Sequence, residues 1–343
     1  HNGKIYFASS RDEGVSVKRL YGWNEQPFLD VYVADVGTKT NVDHTAKIKG
    51  DVNSIYHDGP VTITKDGKTM YFSRNNLDEY GLSKDKKGIS NMKIYKATFR
   101  DSIWTDIEDL SINHAEYSTQ HPALNKDDSK LYFTSDLPGG FGGSDIYIVD
   151  INPDGTLGVP KNLGEVINTK NSEGFPFINN EGTLFFSSDG HPGLGLLDIF
   201  GTIQGENGEF VDVINLGIPI NSNKDDFSFS MNANGIAGYF ASNRTGGLGD
   251  DDIYAYHRVQ TLQLEGVVSD AINTKPIANS IITLFKTFVQ ENPEVWNENL
   301  RSRLYEACAT IVHFEDAFIE LARGKLLYKK GEVHPIIMYR NYL

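Results

Sequence analysis

Two glycine-rich loops end in aspartates and hold residue types that bind phosphate or calcium in many proteins. They read P-G-G-F-G-G-S-D over 138–145 and T-G-G-L-G-D-D-D over 245–252. A phosphate loop needs a following helix or a Lys-Ser/Thr pair, and neither loop has one. Asp250, Asp251 and Asp252 offer carboxylate oxygens to calcium, but the spacing of a known calcium loop is missing. Tight turns explain both loops best, and we predict no metal or cofactor site.

Catalytic residues do not gather at any position of the sequence. G-x-S-x-G and H-E-x-x-H are absent, so neither a hydrolase nucleophile elbow nor a metalloprotease zinc helix is expected. His121 and His191 each precede a proline, and a lone histidine in a turn is more often structural than catalytic. The pairs Asp127-Asp128 and Asp225-Asp226 fall in turns or linkers, where solvated acids are common. We therefore predict no catalytic residues and a chain that is not an enzyme.

Binding to a partner is the chemistry that the loops favour. Loops on a rigid scaffold are common sites of recognition. Acidic loops favour a basic patch on the partner, and salt weakens that attraction. The candidate partner-binding residues are Asp189, His191, Arg244, Asp250, Asp251 and Asp252.

A repeated unit must position these loops, and it occurs five times. Each copy has an aromatic pair in one strand and a third strand that opens with a short polar–aliphatic–aromatic string. Such repeats predict an all-β chain with a β-propeller of five recognisable blades and a sixth expected. We expect Phe72, Phe133, Phe186 and Phe240 to be buried at equivalent positions. The aromatic pairs are Tyr6-Phe7, Tyr71-Phe72, Tyr132-Phe133, Phe185-Phe186 and Tyr239-Phe240.

The first copy and the linkers carry two further expectations. The first copy has no inner strand before Ile5, so we expect either a missing N-terminal portion or closure of the ring by another strand. The linkers repeat an apolar residue followed by asparagine, at Asn113, Asn168 and Asn221. Asparagine bonded to its own backbone in a turn is the favoured interpretation. Asparagines that line a central channel are the alternative.

The pattern changes after the repeats and divides the chain into three segments. Residues 1–258 are predicted to form the propeller, and 259–288 alternate like the start of a β-sandwich. Residues 289–343 form a predicted helical tail, in which 291–323 has an amphipathic stripe and a proline in its first turn.

Composition narrows the classes of partner. The formal net charge is −14, which argues against nucleic acid because phosphate binding needs clustered Lys and Arg. No run of about 18 apolar residues is present, so no membrane-spanning segment is predicted. Cys308 is the single cysteine, so no disulfide forms within the chain.

Three strings resemble one family of envelope proteins. They are I-N-x-x-x-x-E-G-F-P over 167–176, L-F-F-S-S-D-G-H-P-G-L-G-L-L-D-I-F over 184–200 and Y-F-A-S-N-R-T-G-G-L-G-D-D-D-I-Y over 239–254. They are similar to the TolB-type, WD-repeat-like propeller of OmpA-family proteins, which include PorE-like lipoproteins of the type IX secretion system. The resemblance covers roughly residues 3–258. Glu265-Gly266-Val267-Val268 is similar to the start of a carboxypeptidase-regulatory-like sandwich, and the tail resembles a helix of a ribonucleotide reductase small subunit without its di-iron ligands.

The resemblance implies a location and partners. It implies an outer-membrane-associated protein of the periplasm that acts as a scaffold for envelope or secretion-system proteins. It also implies a link to peptidoglycan through domains absent from this chain. A propeller that binds a glycan or a peptide is the alternative, and a propeller glycosidase is a weaker one.

Overall fold

The computed structural model describes residues 3–11, 20–22, 25–37, 40–258 and 336–340. The chain divides into two compact units, His1–His257 with Ile337–Leu343, and Arg258–Ile336. The described residues fall almost entirely in the first unit. The predicted sandwich and the predicted helix over 291–323 lie outside them, so the segment boundaries stay predictions. Ile336–Arg340 belongs to the predicted helical tail but forms a strand.

The described part of the chain is all β, and no helix in it could span a membrane. Its five large sheets have strands that follow one another in chain order, which confirms the five recognised blades. Sheet 1 holds β1 (Lys4–Ser9), β2 (Asp30–Val36) and β3 (Val42–Lys47). Sheet 2 holds β4 (Asp58–Ile63), β5 (Thr69–Asn75), β8 (Met92–Arg100) and β9 (Ile103–Asp109), and its long loop forms a hairpin of β6 (Leu77–Asp78) and β7 (Gly81–Leu82).

The other three sheets have four strands each. Sheet 3 holds β10 (Thr119–Leu124), β11 (Lys130–Ser135), β12 (Asp145–Asp150) and β13 (Lys161–Asn162). Sheet 4 holds β14 (Glu173–Ile178), β15 (Leu184–Ser188), β16 (Asp198–Gln204) and β17 (Phe210–Asn215). Sheet 5 holds β18 (Asp226–Met231), β19 (Ala237–Ser242), β20 (Asp252–Arg258) and β21 (Ile336–Arg340).

The aromatic pairs form the core between sheets, as the repeats predicted. Phe72, Phe133, Phe186 and Phe240 are buried. Each packs against an aromatic residue of the third strand of its own sheet; in sheet 3, Phe133 stacks on Tyr147 with ring centroids 5.8 Å apart. Burial of a side chain of this size stabilises the fold by roughly 1.5–3 kcal/mol. Repetition of that contact in each blade therefore supplies much of the core.

The sheets contact one another around a ring. Tyr239 of sheet 5 donates its hydroxyl to the carbonyl of Thr40 beside sheet 1 at 3.0 Å, and Ile253 packs against the buried cluster of Phe7 and Tyr32. We expected six blades, whereas the described residues form five and the fifth contacts the first directly. Sheet 1 has three strands, in agreement with the missing inner strand noted in the sequence.

The linker asparagines clamp the sheet that precedes them. The amide of Asn168 accepts a hydrogen bond from the Ile146 N–H at 2.8 Å and donates to the Ile146 carbonyl at 3.0 Å. Ile146 lies beyond the last residue pair between β12 and β13, so the amide takes the place of a neighbouring strand. The role is structural, as we expected, but the partner is the third strand rather than the local backbone. The same two bonds join Asn53 to Val31, Asn113 to Ile94 and Asn221 to Ile199.

We predict that Asn168→Ala lowers the free energy of unfolding by about 2 kcal/mol, because the buried Ile146 N–H loses its acceptor. Asn234→Ala, at an exposed turn position, is the control and should change it by less than about 0.5 kcal/mol. Denaturant unfolding measures both. Equal midpoints for the two variants would contradict the clamp.

Candidate functional site

Two opposite ends of the strands carry the connections that a partner could contact. We call the loops that follow the strand of each aromatic pair the loop face; their described residues are 10–11, 20–22, 25–29, 76–91, 136–144, 189–197 and 243–251. We call the hairpin turns between the first and second strands the turn face; they span 64–68, 125–129, 179–183 and 232–236. Because the strands are antiparallel, the two sets lie at opposite ends of the sheets.

An aspartate at the start of the third strand locks three loops of the loop face. The carboxylate of Asp145 accepts hydrogen bonds from the Phe141 N–H at 2.6 Å and the Gly142 N–H at 3.1 Å. Asp252 accepts the Leu248 N–H at 2.6 Å and the Gly249 N–H at 3.2 Å. Asp198 accepts the corresponding N–H groups of residues 194 and 195. These aspartates hold loop backbone, which explains them without a metal.

The glycines of these loops leave room for the aspartates. A Cβ added to Gly140 would lie 2.2 Å from the Asp145 carboxylate oxygen, and one added to Gly247 would lie 2.0 Å from that of Asp252. A Cβ on Gly142 would lie 2.2 Å from the Asn171 carbonyl oxygen of the next linker. A side chain at Gly142 would collide with backbone, and one at Gly140 or Gly247 would displace the carboxylate that holds the loop, so the glycine pattern follows from packing. The turn interpretation of both glycine-rich loops is confirmed.

Each locked loop presents an apolar side chain to solvent. Phe141 and Leu194 are 48% exposed and Leu248 is 67% exposed, and each lies between two glycines. Their N–H groups are fixed by the aspartates, so the exposed side chains stand on a rigid backbone. The longer loops of the first two sheets also expose apolar residues, Leu20 and Tyr80. We name Phe141, Leu194 and Leu248 the apolar tips.

The apolar tips were not among the residues predicted to bind a partner, because only polar residues of the loops were considered. The signal was present in each loop as a large apolar residue with glycine on both sides. A large apolar residue between two glycines has no immediate neighbour along the chain that could bury it.

Arg244, a predicted contact residue, lies over the rings of Phe240 and Tyr254 in sheet 5. Its guanidinium is 5.0 Å from the Phe240 ring centroid. It donates to the Ile220 carbonyl at 2.5 Å and pairs with the buried Asp226 carboxylate at 2.5 Å. Arg74 makes the equivalent contacts in sheet 2. These bonds tie the sheet to the linker that precedes it.

His191 and Asp189 make similar structural contacts in sheet 4. The His191 ring lies 5.2 Å from that of Phe200, and its Nε2 is 2.9 Å from the Ile167 carbonyl oxygen. Asp189 is exposed and accepts a hydrogen bond from the Ser172 N–H at 2.8 Å. Both residues therefore make contacts that stabilise the fold, and their contact with a partner stays a prediction.

The remaining candidates form an acidic group at the loop of sheet 5. Asp250 and Asp251 are exposed, whereas Asp252 is half-buried and locks the loop. Although Asp251 keeps contact with solvent, the surrounding protein partly desolvates its carboxyl group, and this, together with the carboxylates of Asp225, Asp250 and Asp252, raises its pKa. No group of three or more metal-ligating side chains is found within the described ranges.

His121 links the inner strands of sheets 3 and 4. Its ring stacks on Phe175 with centroids 3.8 Å apart, and its Nδ1 accepts the Phe175 N–H at 3.3 Å. Burial lowers the pKa of His121 to about 3. The neutral ring that results can accept the Phe175 hydrogen bond, which an imidazolium could not. Its position is structural, in agreement with the sequence analysis.

No protein-family description matches the chain, and no curated protein matches it. TolB from Acinetobacter baumannii is similar over 67% of this chain at 13% identity with a TM-score of 0.40. The chain covers 46% of the length of that TolB. An α-L-arabinofuranosidase from Lactobacillus brevis matches 76% of this chain and 88% of its own at 14% identity, with a TM-score of 0.45. The periplasmic gluconolactonase PpgL from Pseudomonas aeruginosa matches 80% of this chain and 67% of its own at 10% identity, with a TM-score of 0.39.

These structures correct one expectation from the sequence. We predicted a chain that is not an enzyme, whereas several similar structures are enzymes, including the arabinofuranosidase, the gluconolactonase and a puromycin-hydrolysing peptidase from Mycobacterium tuberculosis. The prediction is therefore contradicted. Identities of 10–15% extend only to the fold, and the propeller assignment rests on the five sheets themselves.

We predict that the stability of the protein falls as pH drops from about 6.5 toward 3, in part because of His121. Its folded pKa lies below the unfolded value of 6.5, so the unfolded chain takes up a proton that the folded chain does not. The slope from this residue is on the order of 1 kcal/mol per pH unit. Asn tolerates the backbone of this position (φ 55°) and does not titrate.

Unfolding of His121→Asn measured from pH 7 to 4 should therefore show a shallower loss of stability than the parent. The carboxylates titrate in both proteins, so the difference between the two curves isolates His121. Parallel curves would contradict a neutral, buried His121.

Proposed function

We propose that this chain is a recognition propeller that binds a protein partner through the loop face. The observation that carries the proposal is the set of apolar tips. Three equivalent loops each expose a large apolar side chain while aspartate and glycine contacts fix the backbone beneath it. Exposed apolar side chains at the same position in successive loops of one face mark a candidate interaction surface.

Rigid apolar side chains favour protein recognition for two reasons. Removing a Leu or Phe side chain from water contributes roughly 1.5–3 kcal/mol. A loop that is already ordered loses little conformational entropy when it binds, so more of that contribution appears as affinity. The loop face meets both conditions at Phe141, Leu194 and Leu248.

The charge beside the apolar tips defines the partner further. Asp250 and Asp251 are exposed next to Leu248, and Asp189 is exposed near Leu194. The whole chain carries a formal charge of −14. A partner with apolar pockets and a basic rim fits this surface, and the charges increase the association rate more than the affinity. Asp189, Asp250 and Asp251 are the proposed rim contacts.

The proposed location is the periplasm, in association with the outer membrane. Support comes from the resemblance of the repeat strings to TolB-type propellers of OmpA-family envelope proteins. The proposed partners are accordingly envelope or secretion-system proteins, with the peptidoglycan link carried by other domains.

A triple variant tests the apolar tips. Phe141→Ser, Leu194→Ser and Leu248→Ser together should abolish the capture of partner proteins from a bacterial envelope extract, because the apolar anchors are gone. The matched control is Val159→Ser, Val211→Ser and Ile214→Ser, which removes apolar side chains of comparable exposure (80%, 49% and 49%) away from the loop face. Unfolding midpoints of both variants should equal that of the parent.

The specific partners are the proteins that both the parent and the control variant capture but that the loop variant fails to capture. Capture by the parent should also weaken as salt rises from about 0.1 M to 1 M, where the Debye length shortens from about 10 Å to 3 Å. The proposal is wrong if the loop variant keeps the same proteins, if the control loses them equally, or if the parent captures none.

A further inference from the structure

The turn face surrounds a cavity of about 280 Å³ at the opposite end of the sheets from the apolar tips. Turn residues and inner-strand ends of sheets 2, 3, 4 and 5 line it, so four blades contribute to one space. Two cross-blade bonds hold the turns together. The Lys65 N–H donates to the Asp128 carboxylate at 2.8 Å, and the Asn180 amide donates to the Ala233 carbonyl at 3.0 Å.

Two of the four asparagines that line this cavity, Asn179 and Asn232, have side-chain donors left for a ligand. The Asn179 side-chain oxygen accepts the Thr183 N–H at 2.8 Å, and the Asn232 oxygen accepts the Ile236 N–H at 3.0 Å. The turns thus use the acceptor of each amide. The Asn179 nitrogen faces only the weakly accepting Met231 sulfur at 4.0 Å. In the described part of the chain, the Asn232 nitrogen has no hydrogen-bond acceptor.

Two lysines add positive charge to the same lining. Lys65 and Lys126 are exposed, and no carboxylate of the described ranges lies within ion-pair distance of either ammonium group. Neighbouring acids are engaged by backbone: Asp66 accepts the Lys68 N–H at 2.9 Å, and Asp128 accepts the Lys65 N–H. The lining therefore holds two lysines against one aspartate, although the chain as a whole is strongly acidic.

Apolar side chains form another part of the lining. Phe177 and Met231 lie in it with Leu124, on inner strands of three successive sheets. A ligand that fits this cavity needs oxygens that accept hydrogen bonds, a negative charge and an apolar body. Those three requirements describe a carboxylate on a small aliphatic group.

We infer that the turn-face cavity is a binding site for small aliphatic carboxylates. The Asn179 and Asn232 amides donate to the carboxylate oxygens, Lys65 and Lys126 supply the opposite charge, and the aliphatic part packs against Phe177 and Met231. The site is independent of the loop face and requires no protein partner.

N-acetyl-leucine is the probe, and its uncharged amide, N-acetyl-leucinamide, is the matched control. Titration of the parent protein, followed by NMR or calorimetry, should show saturable binding of the acid with a dissociation constant on the order of 1 mM. The amide has the same aliphatic body without the charge and should show no saturation over the same range.

Two variants locate the binding. Asn232→Asp keeps the oxygen that the turn needs and replaces the donor nitrogen with a charged oxygen, so it should weaken binding of the acid by at least about tenfold. Lys126→Met should weaken it in the same direction. Asn152→Asp makes the same charge change at an exposed turn outside the cavity and should leave binding unchanged.

Equal binding of acid and amide, no saturable binding of the acid, or equal effects of Asn232→Asp and Asn152→Asp would each overturn the inference. Unchanged unfolding midpoints of the variants exclude loss of the fold as the cause.

Discussion

The structure depends on how each linker is held between two sheets. The carbonyl oxygen of the buried apolar residue in a linker, such as Ile220, accepts a hydrogen bond from Arg244 of the sheet that follows. The next residue, Asn221, clamps Ile199 of the sheet that precedes. Buried backbone groups need hydrogen-bond partners. Here the Arg244 side chain bonds the linker backbone, and the Asn221 side chain of the linker bonds the backbone of the preceding sheet. Adjacent blades are therefore joined by hydrogen bonds as well as by packed rings.

This arrangement decides which side chains remain available for binding. Arg244 and His191 stabilise the blades, and the aspartates that open third strands hold loop backbone. Polar groups used in this way are buried or already have hydrogen-bond partners. Turning them toward a binding partner would break those hydrogen bonds and destabilise the fold. The apolar tips have no such role, because their exposed side chains contribute little to the core. Binding chemistry at the loop face is therefore mainly apolar, with exposed acids at its rim.

The sequence predicted the repeats, the buried phenylalanines and the glycine turns because each of these depends on neighbours close along the chain. It did not predict the clamp of Asn168 on Ile146, since that bond joins residues that only the folded blade brings together. It did not predict which sheets close the ring for the same reason: the hydrogen bond between Tyr239 and Thr40 joins residues 199 positions apart in the chain. At the site, the loops were predicted correctly as exposed connections. Which loop residues stabilise the fold and which stay exposed depends on burial, and a repeat pattern does not predict burial residue by residue.

The most direct test of this account compares Arg244→Ala with Leu248→Ala in two measurements on the same proteins, the free energy of unfolding and the capture of envelope partners. Arg244→Ala leaves the buried Asp226 carboxylate unpaired, so unfolding should become easier by about 3–5 kcal/mol. Under conditions where it stays folded, it should still capture partners. Leu248→Ala should unfold like the parent and capture less. The reverse result, with capture lost in Arg244→Ala at unchanged stability and kept in Leu248→Ala, would contradict the account.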